Sequence, residues 1–382
     1  MRITPRKLYI HSKRVLIEAF RKPAVNGFMP GFLCYGWPHM PTGLGESFRG
    51  MLKSMDAAGL PYQVMDFDHM PEKTEPYGIN VIFCNGYDCI NALNRIPAKQ
   101  WMRHYNISHW VWELEDIPAS WYKYLDLFDE FWTPSSFSAE ALRKITDKPV
   151  IVVPDIPSVS REQVYDRSYF GIPQDRFVFL TMYDSLSLYT RKNPMAVIRA
   201  FRAAFGDAEE GPDLIVRVTH CGEEEMAMLR EEAGECGRIR FMTEEYTKDE
   251  VLSLIDCTDV YVSLHRAEGF GLVPAEAMKL GKPVIATNWS GNTEYMDETN
   301  ACPVDYTLIP VVDPFHFFKE GRWADADTAQ AAEYMQRLYT DPVYYQSIAE
   351  AAKASMENKL TYASCGEVIA ERFRFLKGRY SS

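Results

Sequence analysis

The chain has 382 residues, of which 47% are apolar and 13% aromatic, and its formal net charge is −12. This length and composition supply enough apolar material for two or three domains with cores of their own. The acidic balance, with a pI near 5.3, excludes the basic surface that nucleic-acid binding requires, and no apolar run approaches the roughly 18 residues of a membrane-spanning helix. The eight cysteines show no CxxC spacing. We therefore expect reduced thiols in a cytoplasmic protein, with no zinc site.

The first 23 residues differ from the rest of the chain. At helical spacing their apolar side chains gather on one side, with most of the basic residues opposite. One interpretation is a basic amphipathic helix in peripheral contact with the inner face of an anionic membrane. The other is a helix packed on its own domain. The apolar side consists of Leu8, Tyr9, Val15, Leu16, Ala19 and Phe20, and the basic residues are Arg2, Arg6, Lys7, Lys13, Arg14, Arg21 and Lys22.

Strands alternating with helices follow, a pattern typical of parallel sheets covered by helices. A stretch between 154 and 175 carries three prolines and no sustained periodicity, which predicts a linker. We predict an N-terminal domain over residues 1–160 and a C-terminal domain over 161–357, followed by a helical end at 358–382. The predicted strands are 31–37, 62–67, 79–84, 108–112, 130–133 and 149–153, then 177–182, 213–219, 238–242, 259–264 and 283–287.

Residues 101–132 contain five of the eight tryptophans. Such rings either fill the core of the first domain or stack on a sugar. The same region contains His109, which is expected more often as a histidine at a strand end than as an acid or base.

The most informative motif is EGFGLVPAE, at residues 268–276, between a predicted strand and a predicted helix. Pro274 suits the first helical position, and Gly281 suits the position just past the helix end. Gly269 and Gly271, on either side of Phe270, let the backbone approach a ligand closely. The amides of Leu272 and Val273 and the helix dipole then predict a site for a diphosphate.

Two carboxylates flank this anion site, and a carboxylate aimed at phosphate would be repelled. We therefore expect both to accept hydrogen bonds from hydroxyls. Glu276 would reach the ribose diol of a nucleotide, and Glu268 the hydroxyls of a transferred sugar. The alternative is that Glu276 balances the helix N-terminus and Glu268 is a solvated loop residue.

The run EGFGLVPAEAMKLGKPVIAT resembles the E-x7-E signature of retaining family-4 glycosyltransferases. The resemblance implies a GT-B fold, in which two Rossmann-like parallel-sheet domains of the α/β class face a central cleft. It implies that residues 1–160 form the acceptor side and that residues 161–357 bind the nucleotide sugar. The helix at 358–382 resembles the helix of the family that crosses back to the first domain. Ligands of such sheets bind beyond the carboxyl ends of the strands, so we expect the active site in the cleft.

Two further stretches resemble the family. GFLCYGWPHMPTGLGE resembles its first strand and glycine-rich loop, which implies that Gly43 and Gly45 approach the donor phosphates. Lys192 falls on the phosphate-binding lysine of the family, with Arg191 beside it, so both are expected to neutralise the leaving diphosphate. One departure is that Met182-Tyr183-Asp184 replaces the Gly-Arg pair of many members. A second is Asn85, which stands where the family often has a histidine, so no catalytic base is transferred to it.

The resemblance implies transfer of a hexose-type sugar, with retained anomeric configuration, from a nucleotide-diphosphate sugar to a hydroxyl of a glycan or lipid-linked acceptor. It implies a metal-independent front-face displacement, and no cofactor is expected. A nucleotide-sugar epimerase of the same fold and a non-catalytic sugar-nucleotide-binding protein remain alternatives. A dinucleotide oxidoreductase is disfavoured because GLGE lacks the full G-x-G-x-x-G pattern.

Overall fold

The computed structural model describes residues 5–23, 27–314 and 317–380. The chain divides into two compact units, one comprising Met1–Ile156 and Leu360–Ser382 and the other Pro157–Lys359. The sequence had suggested changes after residues 160 and 357. Residues 1–4 of the segment considered for membrane contact, and residues 381–382 of the last predicted helix, lie outside the described residues.

The first unit is built on a six-stranded parallel sheet with the order β2-β1-β3-β4-β5-β6. Helices flank it, so its central strands are buried, and β4 carries Asn106, Ser108 and His109 in buried positions. The strands are β1 (Met29–Gly36), β2 (Tyr62–Asp66), β3 (Tyr77–Phe83), β4 (Tyr105–His109), β5 (Glu130–Thr133) and β6 (Val150–Val152). The helices are α1 (Pro5–Phe20), α2 (Gly43–Ala57), α3 (Cys89–Arg95), α4 (Ala98–Arg103) and α5 (Ser136–Arg143), with a 3-10 helix at Ala119–Leu127.

The last helix of the chain, Tyr362–Tyr380, belongs to this first unit because a buried ion pair holds it there. Glu130 on β5 is fully buried. The Nε of Arg372 donates to both of its carboxylate oxygens at 2.9 Å. The hydroxyl of Tyr105 and the indole of Trp132 donate to the same carboxylate at 3.0 and 2.7 Å. Three side chains, from β4, β5 and the last helix, thus donate to the one carboxylate of Glu130.

Helix α1 packs on the first unit through the face opposite its apolar stripe. Ile10 and Ile17 are buried, and Lys13 Nζ donates to the carbonyl of Ile96 at 2.8 Å. Arg14 donates to the carbonyl of Lys123 at 2.7 Å, and Arg21 pairs with the carboxylate of Asp129. The helix therefore does pack on its own unit, but its apolar stripe is exposed, at Leu8, Tyr9, Val15, Leu16, Ala19 and Phe20.

The tryptophans between 101 and 132 are core residues, each 4% exposed or less. Trp121 makes edge contacts with Trp110 and Trp112 at centroid distances of 5.3 and 4.8 Å. This burial leaves no ring face for stacking on a sugar.

All eight cysteines lie in the described ranges and are free thiols. Among the described helices, none combines the length and apolarity that crossing a bilayer requires.

The second unit is built on another six-stranded parallel sheet, with the order β12-β11-β10-β7-β8-β9. The strands are β7 (Val178–Asp184), β8 (Asp213–Thr219), β9 (Ile239–Met242), β10 (Val260–Ser263), β11 (Val284–Thr287) and β12 (Cys302–Val304). An antiparallel pair follows, β13 (Tyr306–Pro310) and β14 (Arg322–Ala326). The helices are α6 (Tyr189–Lys192), α7 (Pro194–Phe205), α8 (Glu223–Ala233), α9 (Lys248–Cys257), α10 (Leu272–Lys279), α11 (Thr328–Thr340) and α12 (Pro342–Lys359), and the last helix is α13.

In the second unit the strand order reverses direction between β7 and β10. Chain connections leave these two neighbours toward opposite faces of the sheet, so a crevice opens at their carboxyl ends. Ten of the eleven strands predicted from the sequence lie within about two residues of the observed bounds, whereas the strand predicted at 108–112 was displaced, since β4 begins at Tyr105 and ends at His109. Strands β12, β13 and β14 were missed, because β12 has only three residues and an eleven-residue loop with a proline separates the other two.

Candidate functional site

The segments that follow β7 and β10 contain the residues predicted as catalytic, and backbone bonds tie the two together. The amide of Arg266 donates to the carbonyl of Arg191 at 2.7 Å. The side chain of Asn193, at a positive φ of 53°, donates to the carbonyl of Leu264 at 3.0 Å. Lys192 and Glu268 are thereby held at the same edge of the sheet, at the point where its strand order reverses.

Glu268, Lys192 and Arg191 form one ion cluster. Lys192 Nζ pairs with Glu268 Oε1, and a guanidinium nitrogen of Arg191 lies 3.3 Å from Glu268 Oε2. Burial by itself would raise the pKa of Glu268, but the charges of Lys192 and Arg191 outweigh burial and lower this pKa to about 2. Glu268 is therefore a carboxylate at neutral pH, able to accept hydrogen bonds and unable to act as an acid.

The two cations of the cluster differ in exposure. The side chain of Arg191 is 8% exposed and donates to the carbonyl of Ala267 at 2.7 Å, whereas the side chain of Lys192 is 23% exposed. Arg191 thus braces the segment before the motif. Lys192 is the cation of this pair that is better placed to meet a ligand.

The turn at 268–271 leads into α10 and ends at Gly271, whose φ is 87°. An L side chain rarely adopts this backbone conformation. The helix begins at Leu272, two residues earlier than predicted. Pro274 is therefore the third helical residue, where its missing N–H still has no intrahelical acceptor to lose. The amides of Leu272 and Val273 lie in the first turn, as an anion site requires.

A second segment, residues 288–295, forms hydrogen bonds with this turn, and we call it the clamp. The amide of Glu268 donates to Ser290 Oγ at 2.8 Å, and the amide of Gly291 donates to the carbonyl of Glu268 at 2.9 Å. The hydroxyl of Tyr295 donates to the carbonyl of Gly271 at 2.5 Å. The ring of Phe270 is 3% exposed and packs 5.1 Å from that of Tyr295. Phe270 therefore anchors the turn, and its ring is turned away from solvent.

Glu276 lies in the second turn of α10, not in the first as predicted, and its side chain is 2% exposed. Lys248, the first residue of α9, pairs with Glu276 Oε1 through its ammonium group. A carboxylate this deeply buried requires a partner, because desolvation strongly disfavours its charge. Lys248 was not singled out from the sequence, since 28 residues separate it from Glu276.

Gly43 and Gly45 lie in the first unit, at the carboxyl end of β1. The sequence placed them in a loop, whereas the structure places both in the first turn of α2. Gly43 has open space around its Cα, while a Cβ at Gly45 would lie 2.1 Å from the carbonyl oxygen of Met40. Gly45 is thus required by local packing. Helical amides there remain oriented as at any helix N-terminus.

Tyr183 and Asp184, in the stretch where the sequence departs from the family pattern, take part in a polar network. The hydroxyl of Tyr183 donates to Glu225 Oε1 at 2.7 Å. Asp184 lies 3.0 Å from the ring nitrogen of His220. Two acidic side chains, Asp184 and Glu225, thus lie in this network.

His265 is a further site residue that the sequence did not single out. It is fully buried at the end of β10, with Nδ1 3.0 Å from Ser263 Oγ and Nε2 3.0 Å from Asn292 Oδ1. Burial lowers its pKa, so the ring is neutral and serves to join β10 to the clamp. Its position directly after a predicted strand was the available signal.

On the first unit, the side chains at the strand ends are committed to structure. Asn85 Oδ1 accepts the amide of Val111 at 2.7 Å. The ring of His109 stacks on Phe83 at a centroid distance of 4.1 Å, and burial lowers the pKa of His109 to about 3. Neither residue provides a proton acceptor suited to neutral pH. In the described ranges, no three His, Cys, Asp or Glu side chains converge as a metal site.

The chain resembles known proteins in part of its sequence and in its fold. Residues 170–355 match the family model described as glycosyl transferases group 1. HepE from Anabaena, solved in complex with UDP and glucose, is 14% identical with a TM-score of 0.66, and the alignment covers 91% of this chain and 100% of HepE. Sucrose-phosphate synthase from Thermosynechococcus elongatus is 14% identical with a TM-score of 0.68, over 92% and 100% of the two chains.

A glycosyltransferase from Rickettsia africae is 13% identical with a TM-score of 0.65, over 91% of this chain and 98% of that chain. No curated protein sequence matches the chain significantly. The two parallel six-stranded sheets with their helices form the GT-B fold. The family match and the fold together support the glycosyltransferase class.

Proposed function

We propose that the protein is a retaining, family-4-like glycosyltransferase that moves a hexose-type sugar from a nucleotide-diphosphate sugar to a hydroxyl of a glycan or lipid-linked acceptor. The observation that carries this proposal is the convergence of Lys192, Glu268 and the N-terminus of α10 where the strand order reverses. UDP is a reasonable first donor nucleotide because HepE was solved with UDP and glucose.

In the proposed reaction the bond between the anomeric carbon and the diphosphate oxygen breaks, and the acceptor oxygen bonds to that carbon on the same face. The acceptor proton passes to the departing diphosphate. Charge on the diphosphate is balanced by Lys192 and by the amides of Leu272 and Val273. An ammonium group has three donors, so Lys192 can hold Glu268 and a phosphate oxygen together. The mechanism requires neither a metal ion nor a cofactor.

Glu268 and Arg191 have different tasks in this proposal. The low pKa of Glu268 keeps it ionised, so it accepts hydrogen bonds from sugar hydroxyls and fixes the position of the ring. Arg191 acts through Glu268 and the carbonyl of Ala267, and is a positioning residue. Glu276 accepts hydrogen bonds from the ribose diol.

The test is product formation from a panel of nucleotide sugars and saccharide acceptors, with the anomeric configuration of the product read by NMR. Lys192→Met should lower kcat about 100-fold, the usual effect of losing one charge-stabilising donor. Lys353→Met, an exposed lysine on α12, is the matched control and should behave as wild type. Unchanged turnover in Lys192→Met would remove the assignment.

Two further measurements separate the alternative functions. An epimerase would convert the donor sugar with no acceptor present, so incubation with donor alone and analysis of the sugar identifies it. A non-catalytic binding protein would bind the donor in calorimetry and yield neither transfer nor hydrolysis.

For the peripheral membrane contact we propose the exposed stripe of α1 as the contacting surface. Because Lys13 and Arg14 are used within the first unit, the contact would be mainly apolar. Sedimentation with phosphatidylcholine vesicles, with and without phosphatidylglycerol, tests this. Leu16→Asp should abolish co-sedimentation, and wild-type protein that stays in the supernatant with both vesicle types would exclude the contact.

A further inference from the structure

Lys248 is held in place by the start of its own helix. Thr247 and Glu250 form a capping box, in which Glu250 Oε2 accepts the amide of Thr247 at 2.8 Å and Thr247 Oγ accepts the amide of Glu250 at 3.3 Å. This reciprocal pair fixes the first turn of α9. The backbone from which the lysine side chain projects toward α10 is therefore fixed.

The pair that Lys248 makes is asymmetric in exposure. The side chain of Glu276 is 2% exposed, while that of Lys248 is 37% exposed. The carboxylate is thus inside the fold, and the ammonium group is at its solvent side. The ammonium group of Lys248 is therefore the more accessible end of this ion pair.

We infer that Lys248 and Glu276 together bind a vicinal diol, and that Lys248 determines specificity for ribose over 2′-deoxyribose. This inference rests on the proposed function, in which Glu276 accepts hydrogen bonds from the ribose diol. Each ribose hydroxyl both donates and accepts a hydrogen bond. The carboxylate provides the acceptor and the ammonium the donor, so the pair is complementary to a hydroxyl in both respects. A 2′-deoxyribose lacks one of the two hydroxyls, so its complex loses a hydrogen bond to a charged partner and is weaker.

The experiment compares UDP with 2′-deoxy-UDP by calorimetry on the full chain. Wild type should bind UDP roughly 10- to 100-fold more tightly, the effect of one hydrogen bond to a charged group. Lys248→Met should bring that ratio to within about threefold of unity, and Lys248→Arg should restore most of it. Lys353→Met is the control and should keep the wild-type ratio.

A purely structural role for Lys248 would weaken both nucleotides equally and leave the ratio unchanged, which overturns the inference but not the proposed function. Wild-type protein that binds neither UDP nor any donor of the panel overturns both. If Lys248→Met does not fold, Lys248→Gln provides the same comparison. A wild-type ratio in any folded variant without the ammonium group contradicts the inference.

Discussion

Glu268→Gln is the most direct perturbation of the ion cluster, because glutamine keeps the shape of the side chain and removes its charge. The pKa of Glu268 is lowered from an ordinary 4.5 to about 2, which corresponds to roughly 3 kcal/mol in favour of the charged form in the folded protein. Loss of one partner of a buried ion pair typically lowers stability by about 3 to 5 kcal/mol. We therefore expect Glu268→Gln to lose about 3 kcal/mol at pH 7.

The pH dependence has a definite sign. A carboxyl group whose pKa is lowered on folding stabilises the protein fully above its unfolded pKa, and this stabilisation is lost as the pH falls through the folded value. The difference between wild type and Glu268→Gln should thus be constant above about pH 5.5 and smaller by about 1 kcal/mol at pH 4. It should continue to shrink toward pH 2.

Hydrogen exchange of peptides within residues 260–295 is the suitable assay. The chain has two units, so a global unfolding curve mixes two transitions, whereas exchange reports the free energy of opening of the segment that contains the cluster. Glu235→Gln, at an exposed position of the same unit, is the control and should change nothing. Equal protection in Glu268→Gln and wild type at pH 7, or a difference independent of pH, would refute the reasoning.

Three further predictions concern packing and burial. Gly291→Ala should destabilise the turn and weaken nucleotide binding at least tenfold in calorimetry, because its Cβ would lie 2.1 Å from the carbonyl oxygen of Gly269, whereas Gly222→Ala, with open space around it, should bind as wild type. Arg372→Met should lower the free energy of opening of the β5 segment, measured by hydrogen exchange, by about 3 to 5 kcal/mol, since it leaves the buried carboxylate of Glu130 without its cation. The control Arg374→Met, with a side chain 61% exposed, should lose less than about 1 kcal/mol. Burial raises the pKa of Asp155 to about 7, so its stabilising effect is present at low pH and is lost as the pH rises through 7. In hydrogen exchange, Asp155→Asn should raise the free energy of opening of the surrounding segment relative to wild type at pH 8 and leave it nearly unchanged at pH 4. The same difference at both pH values would contradict this.

Much of the fold was readable from the sequence because short apolar runs separated by helical periods report buried parallel strands directly. The turn at 268–271 was also readable, since glycines before a helix indicate a turn, and Gly271 has the positive φ of 87° that favours glycine. Its details were not, because the helix start depends on how Tyr295 and Ser290 hold the turn.

The stripe on α1 shows where pattern alone fails. Helical periodicity identified the apolar side of the helix, but not the side that faces the domain. That choice was decided by Lys13, Arg14 and Arg21, whose bonds with carbonyls and a carboxylate of the first unit turn the other face inward. Long basic side chains carry apolar stems, so they can line an interface that a hydrophobicity pattern assigns to solvent.

By itself the sequence determined the parallel sheets and the glycine-containing turn that leads into α10. Only the tertiary structure decided how the charges near this turn combine. Lys192 reaches Glu268 across 76 residues of chain, and Lys248 reaches Glu276 from the start of another helix. The physical reason is that periodicity reports which face of an element is buried, whereas an ion pair depends on where the ends of separate elements converge, and parallel strands bring those ends to one edge of the sheet.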